Sequence, residues 1–177
     1  MNNKLVIIEN GQIKEYFLDE KLTWEVGRPS KDNNPDIKLH SPTISRKHGT
    51  FRNVDGIWYY VDNNGKNGTV LNNKRIASSA RRKKITEISH GDVFVFGGGE
   101  ETIINKDTVW GMFTTHNYGN YEVVETKDFN GISFTDGIKT IKKDVPVKGD
   151  VVELSKGIAI YMGDITYISG DVSVEQL

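Results

Sequence analysis

No window of this chain carries a sustained 3.6-residue apolar period with caps at its ends, which argues against long helices. What recurs is the other period. Short runs of alternating or β-branched residues are punctuated by Asn, Asp and Gly: Lys4–Glu9, Ile13–Leu18, Thr23–Val26, Asp36–Leu39, Gly49–Asn53, Ile57–Val61, Thr69–Leu71, Lys84–Ile88, Asp92–Phe96, Thr102–Asn105 and Val109–Thr114. Turn signals such as Asp55-Gly56, Asn64-Gly65 and Asn67-Gly68 lie between them. Many short strands at this spacing predict an all-β sandwich or barrel. A sandwich gathers its loops at two ends, where binding residues tend to sit.

The chain has 177 residues, enough for one domain or for one domain with a smaller companion. Its net charge of −1 gives no global field favouring nucleic acid or anionic membranes. With no cysteine, disulfides, thiolate zinc sites and cysteine nucleophiles are excluded, and a reducing, cytoplasmic setting fits. The apolar run in MNNKLVIIENGQ is too short for a signal peptide. No apolar stretch approaches the ~20 residues of a membrane helix, so a soluble chain without membrane contact is expected. The four histidines show no metal-ligand spacing and no carboxylate pair stands out, so neither metal nor cofactor is expected.

Three polar loops sit between strands and carry Arg28, Ser45-Arg46 and Lys66-Asn67. Ser45 and His48, three apart, suggest a nucleophile and base. Such a pair needs an orienting third group and an oxyanion site, and the sequence nominates neither. Arg46 and Lys47 between them point to anion binding instead. A phosphate ester carries about −1.5 to −2 charges and three acceptor oxygens, and an arginine fork with a short hydroxyl donor suits it. An Asn amide can both donate to and accept from an extended peptide backbone.

The order of these loops resembles the forkhead-associated (FHA) domain. The pattern reads Gly27-Arg28, then Asp36-Ile37-Lys38-Leu39, Ser45-Arg46-Lys47-His48, Asn67-Gly68-Thr69 with Asn72, and Gly91-Asp92. The resemblance covers roughly residues 1–114. It implies an FHA-type β-sandwich of about eleven strands whose loop tips bind phosphothreonine made by an upstream serine/threonine kinase. Carried over, Arg28 and Ser45 bind the phosphate, Arg46 and Lys66 stand near it, and Asn67 bonds the peptide backbone. Gly27, His48 and Gly68 are architectural in the family.

Residues 115–177 form a C-terminal β-rich extension with strands expected at Tyr121–Glu125, Ile132–Phe134, Lys139–Ile141, Val151–Leu154, Ile158–Met162 and Ile165–Ile168. YYVDNNGKNGTVLNN (59–73) aligns with YEVVETKDFNGISFTD (121–136), and SHGDVFVFGGGEETII (89–104) with VKGDVVELSKGIAIYM (147–162). Asn130-Gly131 then answers Asn67-Gly68, and Gly149-Asp150 answers Gly91-Asp92. This resembles the later half of a second, degenerate FHA-like unit without phosphate ligands, an arrangement similar to the N-terminal regions of bacterial type VII secretion ATPases.

The resulting expectation is a non-enzymatic adaptor that reads phosphothreonine. The alternative is a phosphate-independent interaction or scaffold region of a larger bacterial secretion or signalling protein. A Ser45–His48 hydrolase is a further rival. The run Arg81-Arg82-Lys83-Lys84 raises nucleic acid as a partner, but without interleaved aromatics it reads as an exposed insertion loop. Gly97-Gly98-Gly99 lacks the Gly-Lys-Ser/Thr of a phosphate loop and reads as a hairpin turn.

Overall fold

A computed structural model describes residues 2–76, 78–79, 81–99 and 104–177. The chain divides into two compact units, Met1–His116 and Asn117–Leu177. Among the described residues no helix is long and apolar enough to cross a membrane.

Among the described residues the first unit holds eleven strands: β1 (Lys4–Glu9), β2 (Gln12–Phe17), β3 (Thr23–Gly27), β4 (Ile37–Lys38), β5 (Gly49–Val54), β6 (Ile57–Asp62), β7 (Thr69–Leu71), β8 (Lys74–Ile76), β9 (Ile85–Glu87), β10 (Val93–Phe96) and β11 (Val109–Thr114). They form one sheet in the order β2-β1-β11-β10-β7-β8 and another in the order β4-β3-β5-β6-β9. The expected β-sandwich is present. A 3-10 turn, Leu18–Glu20, buries Leu18, whose carbonyl accepts the Trp24 indole N–H at 2.9 Å. Strand β8 was not anticipated, because three residues with two exposed cations give no alternation to read. The expected strand Thr102–Asn105 lies partly outside the described residues, and Ile104 and Asn105 are not in a strand.

The core is built by the two-residue period. Leu5 and Ile7, Trp24 and Val26, Trp58 and Tyr60, and Phe94 and Phe96 each point inward from one strand. Phe94 meets Phe51 and Tyr60 edge-on at centroid distances of 5.4 and 5.3 Å. Each such ring contributes about 1.5–3 kcal/mol through burial, and the edge-to-face pairs add about 0.5–1.5 kcal/mol.

Register decides where the loops go. Val26, Gly49 and Asp62 stand side by side at one end of the second sheet. Thr69, Phe96 and Val109 stand side by side in the first. The end of β3, the start of β5, the end of β6, the start of β7 and the end of β10 therefore share one end of the sandwich. Hydrogen bonds from the His48 ring and the Tyr60 hydroxyl to Thr69 tie the two sheets there.

The second unit has seven strands: β12 (Tyr121–Glu125), β13 (Ile132–Thr135), β14 (Thr140–Lys143), β15 (Val151–Glu153), β16 (Gly157–Tyr161), β17 (Ile165–Gly170) and β18 (Ser173–Gln176). One sheet runs β12-β17-β16-β15 and the other β14-β13-β18. Ile132, Phe134, Val152, Leu154, Ala159 and Val172 make its core. Strand β18 was not anticipated, since SVEQ has a single half-buried apolar residue.

The parallel between the units holds at the Gly-Asp turns. Gly91 and Gly149 both have positive φ, 87° and 95°. The Asp92 carboxylate accepts the Ser89 N–H at 2.8 Å, and the Asp150 carboxylate accepts the Val147 N–H at 2.8 Å. Phe113 N–H donates to the Asp92 carbonyl and Tyr161 N–H to the Asp150 carbonyl, each at 2.9 Å. It does not hold at the Asn-Gly pairs. Gly68 has φ 71°, whereas Gly131 is not among the positive-φ glycines. Strand β7 pairs with β10, but β13 lies in a different sheet from β15.

In the first unit the rings of His90 and His116, far apart in sequence, meet at a tilt of 36° with centroids 3.9 Å apart.

Candidate functional site

Gly27 ends β3 where a side chain is impossible. A Cβ there would lie 1.8 Å from the Arg46 carbonyl oxygen. This close approach lets the 39–48 loop lie across the strand end, where Arg28 N–H donates to the Ser45 carbonyl at 3.1 Å. The Arg28 guanidinium then folds onto the same loop, its Nε donating to the Ile44 carbonyl at 3.0 Å. That bond fixes the plane of the fork. Among the described residues its two terminal nitrogens have no protein partner and no carboxylate pairs with it.

Ser45 is held from both sides. Its N–H donates to Nδ1 of His48 at 3.1 Å. Its Oγ accepts the Lys66 backbone N–H at 3.0 Å, which leaves the hydroxyl proton free to donate outward. Gly65 makes this approach possible, since a Cβ there would lie 3.1 Å from Ser45 Oγ and 3.0 Å from His48 Nδ1.

His48 is fully buried. Because Nδ1 accepts from Ser45, the proton sits on Nε2, which donates to the Gly68 carbonyl at 2.8 Å and lies 3.1 Å from Thr69 Oγ1. Burial holds its pKa below the usual imidazole value, outweighing the Gly68 bond and the Asp62 charge, which push it up. The ring faces the Ser45 backbone rather than its Oγ, so no nucleophile–base contact forms.

Asn67 gives its Nδ2 to the Thr43 carbonyl at 2.9 Å. Its own carbonyl accepts the Gly99 N–H at 2.6 Å. Arg28, Ser45, Lys66 and Asn67 are thus brought together through three loops. Arg46 joins them through its backbone, and the residue also lines a hollow with Glu25, Asn33, Asn34 and Pro35.

Two residues escaped sequence reasoning. Asn33 Nδ2 donates to the carbonyls of Arg28 at 2.9 Å and Arg46 at 2.8 Å, cross-linking two loops. Nothing in PSKDNNPD distinguishes Asn33 from Asn34. Thr43 contributes through its carbonyl, which no side-chain pattern reveals, and its hydroxyl is anchored on the Asp107 carbonyl at 2.6 Å.

Residues 24–97, which contain Arg28, Asn33, Thr43, Ser45, His48, Lys66 and Asn67, match the family model described as the FHA domain. Residues 24–97 carry an FHA domain. Two solved structures of the yeast splicing factor Pml1 are 27% and 28% identical to this chain. Each covers 63% of this chain, and they cover 78% and 80% of the Pml1 chains, with a TM-score of 0.51. The FHA domain of the CT664 protein from Chlamydia trachomatis is 19% identical, covers 66% of this chain and 100% of its own, and has a TM-score of 0.50. No curated protein matches the chain.

Proposed function

We propose that the FHA domain of this protein binds a phosphothreonine segment of a protein partner, and that the chain acts as a non-enzymatic adaptor. The observation that carries this reading is the Arg28 fork, fixed by the Ile44 carbonyl and without an acidic partner among the described residues. An oriented guanidinium beside an outward-donating Ser45 hydroxyl suits the three oxygens of a phosphate. FHA domains are phospho-motif readers as a family.

Lys66 adds positive charge at the loop tip and Arg46 a second cation at the margin. With its Nδ2 on Thr43, Asn67 offers Oδ1 to a peptide N–H. The loops are held by their own hydrogen bonds before any ligand arrives, so little ordering entropy is lost on binding. A serine/threonine kinase would supply the phosphorylated partner, in the cytoplasm. The phosphothreonine reader corresponds to residues 1–114, and residues 115–177 are a β-rich extension without phosphate ligands.

A phosphothreonine peptide library, titrated by fluorescence anisotropy against wild type and Arg28→Ala, tests this. Loss of one partner of a charge-assisted cluster should weaken binding by at least ~2 kcal/mol. Phosphoserine and unphosphorylated peptides should bind more weakly. If Arg28→Ala leaves partner binding intact in a folded protein, the phosphate reading fails and a scaffold role replaces it.

A further inference from the structure

We infer that the basic groove beside β9, together with Arg75 and Lys83, binds an acidic segment flanking the phosphothreonine of the same partner. This rests on the phosphothreonine reading above.

The run Arg81–Lys84 looks in sequence like a detached insertion. It is fastened to the phosphate-side end of the sandwich. The Lys84 carbonyl accepts the Asp62 N–H at 3.0 Å. Ser78 Oγ donates to the Asp62 carbonyl at 3.0 Å and accepts the Lys84 N–H at 2.6 Å. Asp62 ends β6, immediately before the loop that carries Lys66 and Asn67.

Two cations flank that loop. At its start, Lys83 Nζ donates to Asn63 Oδ1 at 3.1 Å, and Asn63 N–H donates to the His48 carbonyl at 3.2 Å. At its end, the Arg75 guanidinium carbon lies 3.0 Å from where a Gly68 Cβ would sit. Lys66 stands between them.

Beside Lys83 a groove of about 670 Å³ is lined by Ser78, Ser79, Arg82, Lys83, Lys84 and Ile85. Among the described residues it offers three cations and two hydroxyls and no carboxylate. Among the described residues no carboxylate pairs with Arg75, Arg82, Lys83 or Lys84. The chain has 23 basic and 24 acidic residues, so this patch is a local asymmetry, not the background of a basic protein. Among the described residues the groove has no aromatic ring on which a base could stack, and it adjoins the loop assigned above to the peptide, which favours an acidic peptide over nucleic acid.

The test is an amide and arginine side-chain NMR titration of the full chain. The probes are a phosphothreonine peptide with neutral flanks, the same peptide with a glutamate block on its N-terminal or its C-terminal side, an unphosphorylated glutamate peptide, and a single-stranded DNA oligonucleotide. One glutamate-flanked phosphopeptide should bind about fivefold tighter than the neutral one, the scale of a few partly exposed ion pairs. The signals of Ser78, Ser79, Lys83, Lys84 and the Arg75 side chain should move with it. Arg75→Ala with Lys83→Ala should erase the gain, so that glutamate-flanked and neutral-flank phosphopeptides bind the double variant alike.

A titration in which the glutamate peptides leave these signals still overturns the inference, and so does a gain that survives the double variant. So does an oligonucleotide that occupies the groove more tightly than the glutamate peptides. If the neutral phosphopeptide fails to move Arg28 and Ser45, the phosphothreonine reading is what fails. The unphosphorylated glutamate peptide then decides the groove separately: it stands if those signals move and falls if they do not.

Discussion

Nε2 of His48 lies 2.8 Å from the Gly68 carbonyl oxygen, while Nδ1 of the same ring accepts the Ser45 N–H at 3.1 Å. One buried side chain therefore joins the loop that presents Ser45 to the loop that presents Lys66 and Asn67. The bond pattern needs the neutral ring, because a protonated Nδ1 would face the Ser45 N–H donor to donor.

Acid should loosen this junction. Burial depresses the His48 pKa in the folded protein below its unfolded value of about 6.5, so the unfolded chain binds more protons below that pH. The contribution of His48 is complete above about pH 6.5 and is lost as pH falls from there through the lower folded value. Denaturant midpoints measured from pH 8 to pH 5 should fall over the acidic part of that range, and a folded His48→Asn variant should lack part of the slope. Equal slopes in both would remove His48 from the account.

Gly27→Ala should damage fold and site together. The added Cβ would lie 1.8 Å from the Arg46 carbonyl oxygen and 2.7 Å from its carbon, and these are backbone atoms that cannot swing aside. Relieving the contact means displacing the 45–46 segment and breaking the Arg28–Ser45 backbone bond. Overpacking of this kind costs about 1–3 kcal/mol. Thermal unfolding would show the loss, and phosphopeptide affinity should fall further than stability alone accounts for.

Asn33→Ala leaves every proposed phosphate ligand in place. It removes the amide that holds the Arg28 and Arg46 carbonyls. Each lost bond is worth about 0.5–1.5 kcal/mol. Isothermal titration should therefore show weaker phosphopeptide binding, by about 1–2 kcal/mol. Unchanged affinity would show that Asn33 has no part in positioning Arg28.

Phe134→Ala tests the core of the second unit. Phe134 is fully buried and pairs across its sheet with Ile141 and Val174. Truncation of a buried Phe costs about 3–5 kcal/mol. Hydrogen exchange in β13, β14 and β18 should accelerate accordingly, and unchanged protection there would argue against the described packing.

Sequence alone determined that the chain is a β protein, where most strands run, and which loops carry Arg28, Ser45, Lys66 and Asn67. These are local properties. Alternation at Trp24/Val26 or Phe94/Phe96 is written into consecutive residues, and Asp-Gly and Asn-Gly pairs mark their own turns. Strands β8 and β18 were not legible, because three or four residues dominated by exposed side chains carry no period. Pairing partners were not legible either. The Gly149-Asp150 turn repeats the backbone hydrogen bonds of Gly91-Asp92, yet β13 joins a different sheet from β15.

Only the tertiary structure decided which groups meet. Asn33 clamps Arg28 and Arg46, Lys83 reaches Asn63, and Arg75 covers Gly68 because register aligned five strand ends at one pole of the sandwich. A hydrogen bond between residues far apart in sequence depends on distances that no local pattern encodes. Packing of the two sheets sets those distances, and with them the shape of the candidate site.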